Sequence, residues 1–258
     1  MEVHHHSHSA KQKWTHYLWE FLMLFFAVFA GFLAENQREH YVEDQRAKAL
    51  AKNLYKELYD DSISVQQCLE NRRKKEKECS YFIDYVKDSS LTTLSPKFFP
   101  AYTTAFIQIQ YIIFDPNDGI LNQLRNSGEL RYFKSSELQS EIGKLSIKIA
   151  YVKTRNEREY SYVEFYNRPF VLKHFDFEWY EAYTHKGSIS LFEALKQDEQ
   201  VTVTPKISNV DKFSRQEAEN IASYYLLLLR STRQIQYKEY ADANHRVLEL
   251  LRKEFHLE

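Results

Sequence analysis

Phe21-Leu22-Met23-Leu24-Phe25-Phe26-Ala27-Val28-Phe29-Ala30-Gly31-Phe32-Leu33-Ala34 is a run of fourteen residues without one polar side chain. Alone it is short for a hydrocarbon layer about 30 Å thick, which takes roughly 20 residues of helix to cross. Trp14, Tyr17, Leu18 and Trp19 extend it on the N-terminal side with aromatic rings of the kind that settle at headgroup depth. From Trp14 to Ala34 there are 21 residues, about 31 Å as a helix, which predicts one transmembrane helix over 14–34. Glu35-Asn36-Gln37-Arg38-Glu39-His40 follows at once, with no turn to present a cleavage site and an abrupt switch to charge. A retained anchor is therefore expected, in preference to a cleaved signal or a buried core helix.

Charges around this segment do not settle its orientation. Lys11 and Lys13 precede it, whereas Arg38, Arg46, Lys48 and Lys52 follow it. A short tail ahead of an N-terminal anchor ordinarily stays in the cytoplasm. The expected topology is thus single-pass, with the N-terminus cytoplasmic and the C-terminal domain exported. Within the span, Ala27 and Gly31 stand four apart, as do Ala30 and Ala34. That spacing lets two helices approach closely in lipid, so these four are the candidate oligomer contacts. Glu20 is the one acid in the hydrophobic stretch, and it reads two ways. Its carboxylate can rise to the interface and pair with His16 one turn away, or it can face other subunits and handle cations.

Ahead of the anchor lies a histidine-rich tail. His4, His5, His6 and His8 fall within five residues, with His16 at the membrane edge. Imidazole is a common ligand for zinc and other transition metals, so these five are the candidate metal ligands. No other cofactor is expected.

Downstream, the composition demands long helices. Of 258 residues only five are Gly and five Pro, and none of either occurs between Gly31 and Pro96; turns need such residues. Hydrophobic residues make up 43%, enough for a packed core. Net charge is −1 with both signs interspersed, so no basic face exists for nucleic acid. Cys68 and Cys79 lie three helical turns apart and read as two free thiols, with an intermolecular bridge as the alternative.

Helix is expected from Arg38 to about Lys87, with Leu50, Leu54, Leu58, Val65 and Leu69 as its apolar stripe and a bend or restart at Asp60-Asp61-Ser62. Arg72-Arg73-Lys74-Lys75-Glu76-Lys77-Glu78 reads as a solvated face, because acids are mixed among the bases. A loop over 89–100 is followed by a helix from Ala101 to Phe114 and a short one from Ile120 to Arg125. Ser136 with Gln139 reads as a capping box for a helix that stops before Pro169. Phe170 to Asn209 is the least regular stretch, with a short helix over Leu191–Lys196 and a strand at Val201-Thr202-Val203. Ser214 with Glu217 opens a helix of about forty residues, with Ile221, Tyr225, Leu228, Ile235, Leu248, Leu251 and Phe255 as its core side. All five prolines are expected between helices. The resulting organisation is all-α: tail 1–13, transmembrane helix 14–34, long helix or stalk 35–88, and an antiparallel bundle 89–258 packing on it.

The stretches His4-His5-His6-Ser7-His8, Trp14 to Phe25, and Gly31 to His40 together resemble the N-terminus of a group of single-span proteins from the Bacteroidota. Leu121-Asn122-Gln123-Leu124-Arg125-Asn126-Ser127-Gly128-Glu129-Leu130-Arg131 is similar to a Ser-Gly-x-Leu element that recurs in the same group. The resemblance covers about 50 residues; it implies the anchored architecture and a bacterial envelope location, and it implies no chemistry.

Catalytic signatures are missing from the sequence: there is no phosphate-cradling glycine loop, no Gly-x-Ser-x-Gly, no His-Glu-x-x-His and no Cys-x-x-Cys. The expected function is a non-enzymatic interaction or scaffold protein, either a homo-oligomer or an accessory subunit of an inner-membrane complex. Its partners are membrane lipid and itself or another inner-membrane protein. The alternative is an oligomeric cation or metal channel lined by Glu20 and the N-terminal histidines.

Overall fold

The computed structural model describes residues 14–107, 110–184 and 204–257, and every regular element among them is helical. The chain divides into two compact units, residues 1–50 and 51–258. The expected helix over 191–196 and strand over 201–203 lie outside the described residues.

Helix α1 spans Trp14–Asp88, 75 residues, and supplies residues to both units. The stretch from Phe32 to Ser95, free of Gly and Pro, leaves nothing to break it. Helix α1 is unbroken at Asp60-Asp61-Ser62 and does not restart there. The side chains are engaged elsewhere: Asp61 is buried in the bundle, and Ser62 Oγ donates to the Tyr59 carbonyl at 2.6 Å. The helix ends where Arg215 takes over its last carbonyls, donating to Val86 O at 2.5 Å and to Ser89 O at 2.8 Å.

In the second unit, α1 shows a buried stripe at steps of three and four residues: Ala51, Leu54, Leu58, Asp61, Val65, Cys68, Arg72, Lys75, Cys79, Phe82 and Val86. A mean spacing of 3.5 is the coiled-coil seam. Leu50 and Leu69 are buried as well, as the expected stripe requires.

Two further long helices pack on this seam. Helix α2 (Phe98–Phe106) and α3 (Gly119–Asn126) precede α4 (Ser136–Tyr162), and the short α5 (Arg168–His174) and α6 (Phe177–Tyr183) follow it. The C-terminal arm is α7 (Arg215–Ser231) and α8 (Lys238–Phe255), joined by a π turn over Thr232–Tyr237. Along α1 the partners descend this arm: Leu58 O accepts from Asn244, Asp61 from Tyr240, Glu76 from Arg233, and Val86 O from Arg215. The two are therefore antiparallel, as expected. So are α4 and the arm, through Arg246 to Glu137, Lys148 to Glu239 and Tyr162 OH to the Ile221 carbonyl.

Several boundaries differ from the sequence reading. Helix α4 is capped by Ser135, whose Oγ accepts from Leu138 N at 3.1 Å, while Gln139 donates back to Phe133 O at 2.6 Å. The Ser136–Gln139 box is thus one residue out. The Ser214 cap forms as expected, accepting from Glu217 N at 3.2 Å. The helix expected over Ala101–Phe114 stops at Phe106 and resumes as one 3₁₀ turn, Gln110–Ile112. There the backbone finds partners in other elements: Asn71 donates to Tyr111 O, Arg72 to Ile112 O and Asn156 to Phe114 O.

Nor do all five prolines lie between helices. Pro100 sits in the first turn of α2, where its missing N–H costs nothing. Pro169 opens α5 directly after a π turn over Val163–Asn167, so the chain stays helical through it. The region after Phe170, expected to be irregular, carries α5 and α6. Both pack with α2 on the far end of α1 in an aromatic core of Phe82, Phe98, Phe99, Tyr102, Phe175 and Trp179.

Candidate functional site

His4, His5, His6 and His8 lie outside the described residues. His16 and Glu20 are exposed on the same helix, one turn apart. His16 lies beside the Tyr17 ring, centroids 6.1 Å apart. Among the described residues no group of three or more His, Cys, Asp or Glu is placed to hold a metal. Ala27, Ala30, Gly31 and Ala34 are all exposed. A methyl added at Gly31 would meet nothing within 4 Å among the described residues, so none of them requires glycine there. Phe21, Phe25 and Phe29 stack along another side, centroids 6.3 and 6.0 Å apart. Beyond the apolar run, Arg38 closes on Glu35 at 2.6 Å.

A second constellation, which the sequence reading took for a solvated face, is inside the bundle. Arg72 is 0% exposed and Lys75 1%, both in the α1 seam. The Arg72 guanidinium grips Glu159 of α4 through both nitrogens, Nη1 to Oε1 at 3.2 Å and Nη2 to Oε2 at 2.5 Å. It also donates to Ile112 O at 2.9 Å and Leu229 O at 3.1 Å, and lies 4.6 Å over the Tyr237 ring. Thr232 donates its hydroxyl to Glu159. Every polar atom of the pair is thereby engaged, the condition under which a buried ion pair is tolerated.

The π turn makes this layer geometrically available. Up to Thr232 the buried positions of the arm run Ala218, Ala222, Tyr225, Leu229, Thr232, and after the turn they run Tyr237, Tyr240, Asn244, Val247, Leu251. The step from Thr232 to Tyr237 is five residues, one more than an α-helix permits on one face. That inserted residue turns Thr232 and Tyr237 together towards Arg72. It also turns Ile235, an expected core residue, outward to 47% exposure. Tyr225, Leu228 and Leu251 are buried as expected, with Ile221, Leu248 and Phe255 half-buried.

Lys75 donates to Thr104 O at 3.0 Å and lies 5.4 Å from the Tyr225 ring centroid. Burial, with Arg72 close by, lowers its pKa to about 8. About three helical turns from Arg72 towards the N-terminus, Asp61 accepts from Tyr240 at 2.7 Å and from Asn117 N at 3.0 Å. Burial pushes its carboxyl above the usual range, against those hydrogen bonds, and raises Glu57 likewise. Both cysteines are free and buried, which excludes an intermolecular bridge in this fold. Their thiols are pushed up by burial, Cys68 to about 11 and Cys79 to about 12, so neither is a nucleophile at neutral pH.

These groups lock three helices in register. The signal that could have found them is the 3/4 stripe carried past Leu69, which puts Asp61, Arg72 and Lys75 on seam positions. No family model, curated protein or solved structure shows a significant match to this chain.

Proposed function

We propose that this is a single-pass protein of the bacterial inner membrane whose helical bundle is a non-enzymatic interaction module, working as a homo-oligomer or as an accessory subunit of a larger complex. One observation carries the reading. Residues 14–34 include an 18-residue window of mean hydropathy 1.9, of which none is buried by the rest of the protein. Trp14, Leu24 and Phe32 are 78%, 68% and 66% exposed. A core helix of a soluble protein would be covered; this one needs lipid or a partner to cover it.

Gly31 supports contact between anchors. Glycine inside a helix costs about 1 kcal/mol against alanine, and no contact among the described residues offsets it. A neighbouring helix lying against Ala27, Ala30, Gly31 and Ala34 would. The raised thiols and the closed Arg72–Glu159 pair favour a structural role for the bundle over a catalytic one. The tail histidines, with zinc or another transition metal, belong to the same proposal as a local feature of the tail-side membrane surface.

The test is the mass of the purified protein in detergent, with Gly31→Ile as comparison. The wedge should weaken association by on the order of 1–2 kcal/mol per contact, and hence lower the oligomer mass on dilution. An unchanged mass would remove the anchor face from the account.

A further inference from the structure

The run Arg72–Glu78 splits between two environments. Arg72, Lys75 and Glu76 turn inward, and Arg73 and Lys77, four residues apart, are exposed on the flank of α1 beside Glu76. There they meet Arg230 of α7 across a groove of about 490 Å³. Arg230 reaches Ser80 Oγ at 3.3 Å, tying the two walls together. Among the described residues neither Arg73 nor Lys77 has an ion-pair partner. Glu76, on the same wall, is already taken by Arg233 through two bonds of 2.7 and 2.9 Å. The three cations therefore face only one other carboxylate in the groove, that of Asp84.

The groove continues into a second part of about 390 Å³, sharing Ser80, Asp84 and Arg230 with the first. Beside Ser223 it adds an apolar surface of Ile83, Leu226 and Leu227, the last 59% exposed. Positive charge thus adjoins a hydrocarbon surface within one continuous depression. Three cations against one carboxylate not bonded to an arginine leave an excess of positive charge, which attracts anions, and an adjacent apolar surface favours those that carry a hydrophobic chain.

We propose that the α1–α7 groove binds a small amphiphilic anion, its phosphate or carboxylate held by Arg73, Lys77 and Arg230 and its alkyl part laid along Ile83, Leu226 and Leu227. Arginine offers paired donors to either oxyanion, and Ser80 adds a hydroxyl. Nothing in this proposal depends on the anchor or on self-association.

The probe is hexyl phosphate, titrated calorimetrically into the full-length protein in phosphatidylcholine nanodiscs, with empty discs as blank. One site is expected. Binding should be about tenfold or more tighter than that of inorganic phosphate, since two buried methylenes suffice for that factor. The triple variant Arg73→Gln/Lys77→Gln/Arg230→Gln, whose three side chains are exposed, should retain its helical circular dichroism and lose tenfold or more in affinity. Leu227→Asn should weaken hexyl phosphate and leave inorganic phosphate unchanged. In discs containing phosphatidylglycerol, competition would assign the site to a lipid headgroup and undiminished binding to a soluble anion; both keep the site. Absence of binding above the blank, or equal affinity in the triple variant, would overturn the proposal.

Discussion

Arg72 and Lys75 are one turn apart in the same seam, and their environments predict opposite responses to removal. Arg72 is bonded to Glu159 through two nitrogens, so deleting either partner leaves a buried charge alone. Arg72→Met should therefore cost about 3–5 kcal/mol of unfolding free energy, whereas Arg72→Met with Glu159→Leu should recover most of it. Denaturant unfolding of the four species in the cycle measures this. Lys75 donates to the Thr104 carbonyl and lies beside the Tyr225 ring. Its folded pKa of about 8 lies below the ordinary 10.5, so the folded state holds the proton less tightly than the unfolded chain does. Keeping it charged at pH 7 costs on the order of 3 kcal/mol, and that cost disappears as pH rises from 8 towards 10.5. Relative to Lys75→Met, wild type should thus gain about 2–3 kcal/mol of stability between pH 7 and pH 10. A constant difference across that range would mean that water reaches the ammonium.

Among the elements, the long helices were legible because their signals are local. A stretch without Gly or Pro, the Ser214 cap and the stripe from Leu50 to Leu69 each report on a few neighbouring residues. What the sequence did not yield is non-local. The charged run after Leu69 looks solvated until Glu159 and Thr232, 87 and 160 positions after Arg72, are known to face it. The two π turns carry no composition signal, and they account for two misplaced features. They keep the chain helical up to Pro169, and they turn Ile235 out of the core. The turn at 232–237 is testable by deleting Ile235, which is itself 47% exposed and contributes little packing. Removing one residue restores α-helical spacing and rotates α8 by about 100° relative to α7. Either Thr232 or the Tyr237–Leu251 stripe then faces away from α1. Stability should fall by about 3 kcal/mol or more, with helical content retained at low temperature. A deletion that left the thermal midpoint unchanged would show that the π turn is not what aligns the layer.

For the whole molecule, residues 51–258 form a compact unit with its own aromatic core and its own closed set of buried charges. Residues 14–34 instead leave almost every side chain exposed on a helix. The tail, whose histidines suggest metal, and the small-residue face of the anchor were legible only as residue types, because their meaning depends on lipid, metal or a second chain. The central claim is that residues 14–34 sit in a bilayer, and alkaline carbonate extraction of membranes tests it most directly. The full-length protein should stay in the pellet at high pH, while a chain starting at residue 36 should appear in the supernatant with helical circular dichroism. Release of the full-length protein into the supernatant would contradict the account.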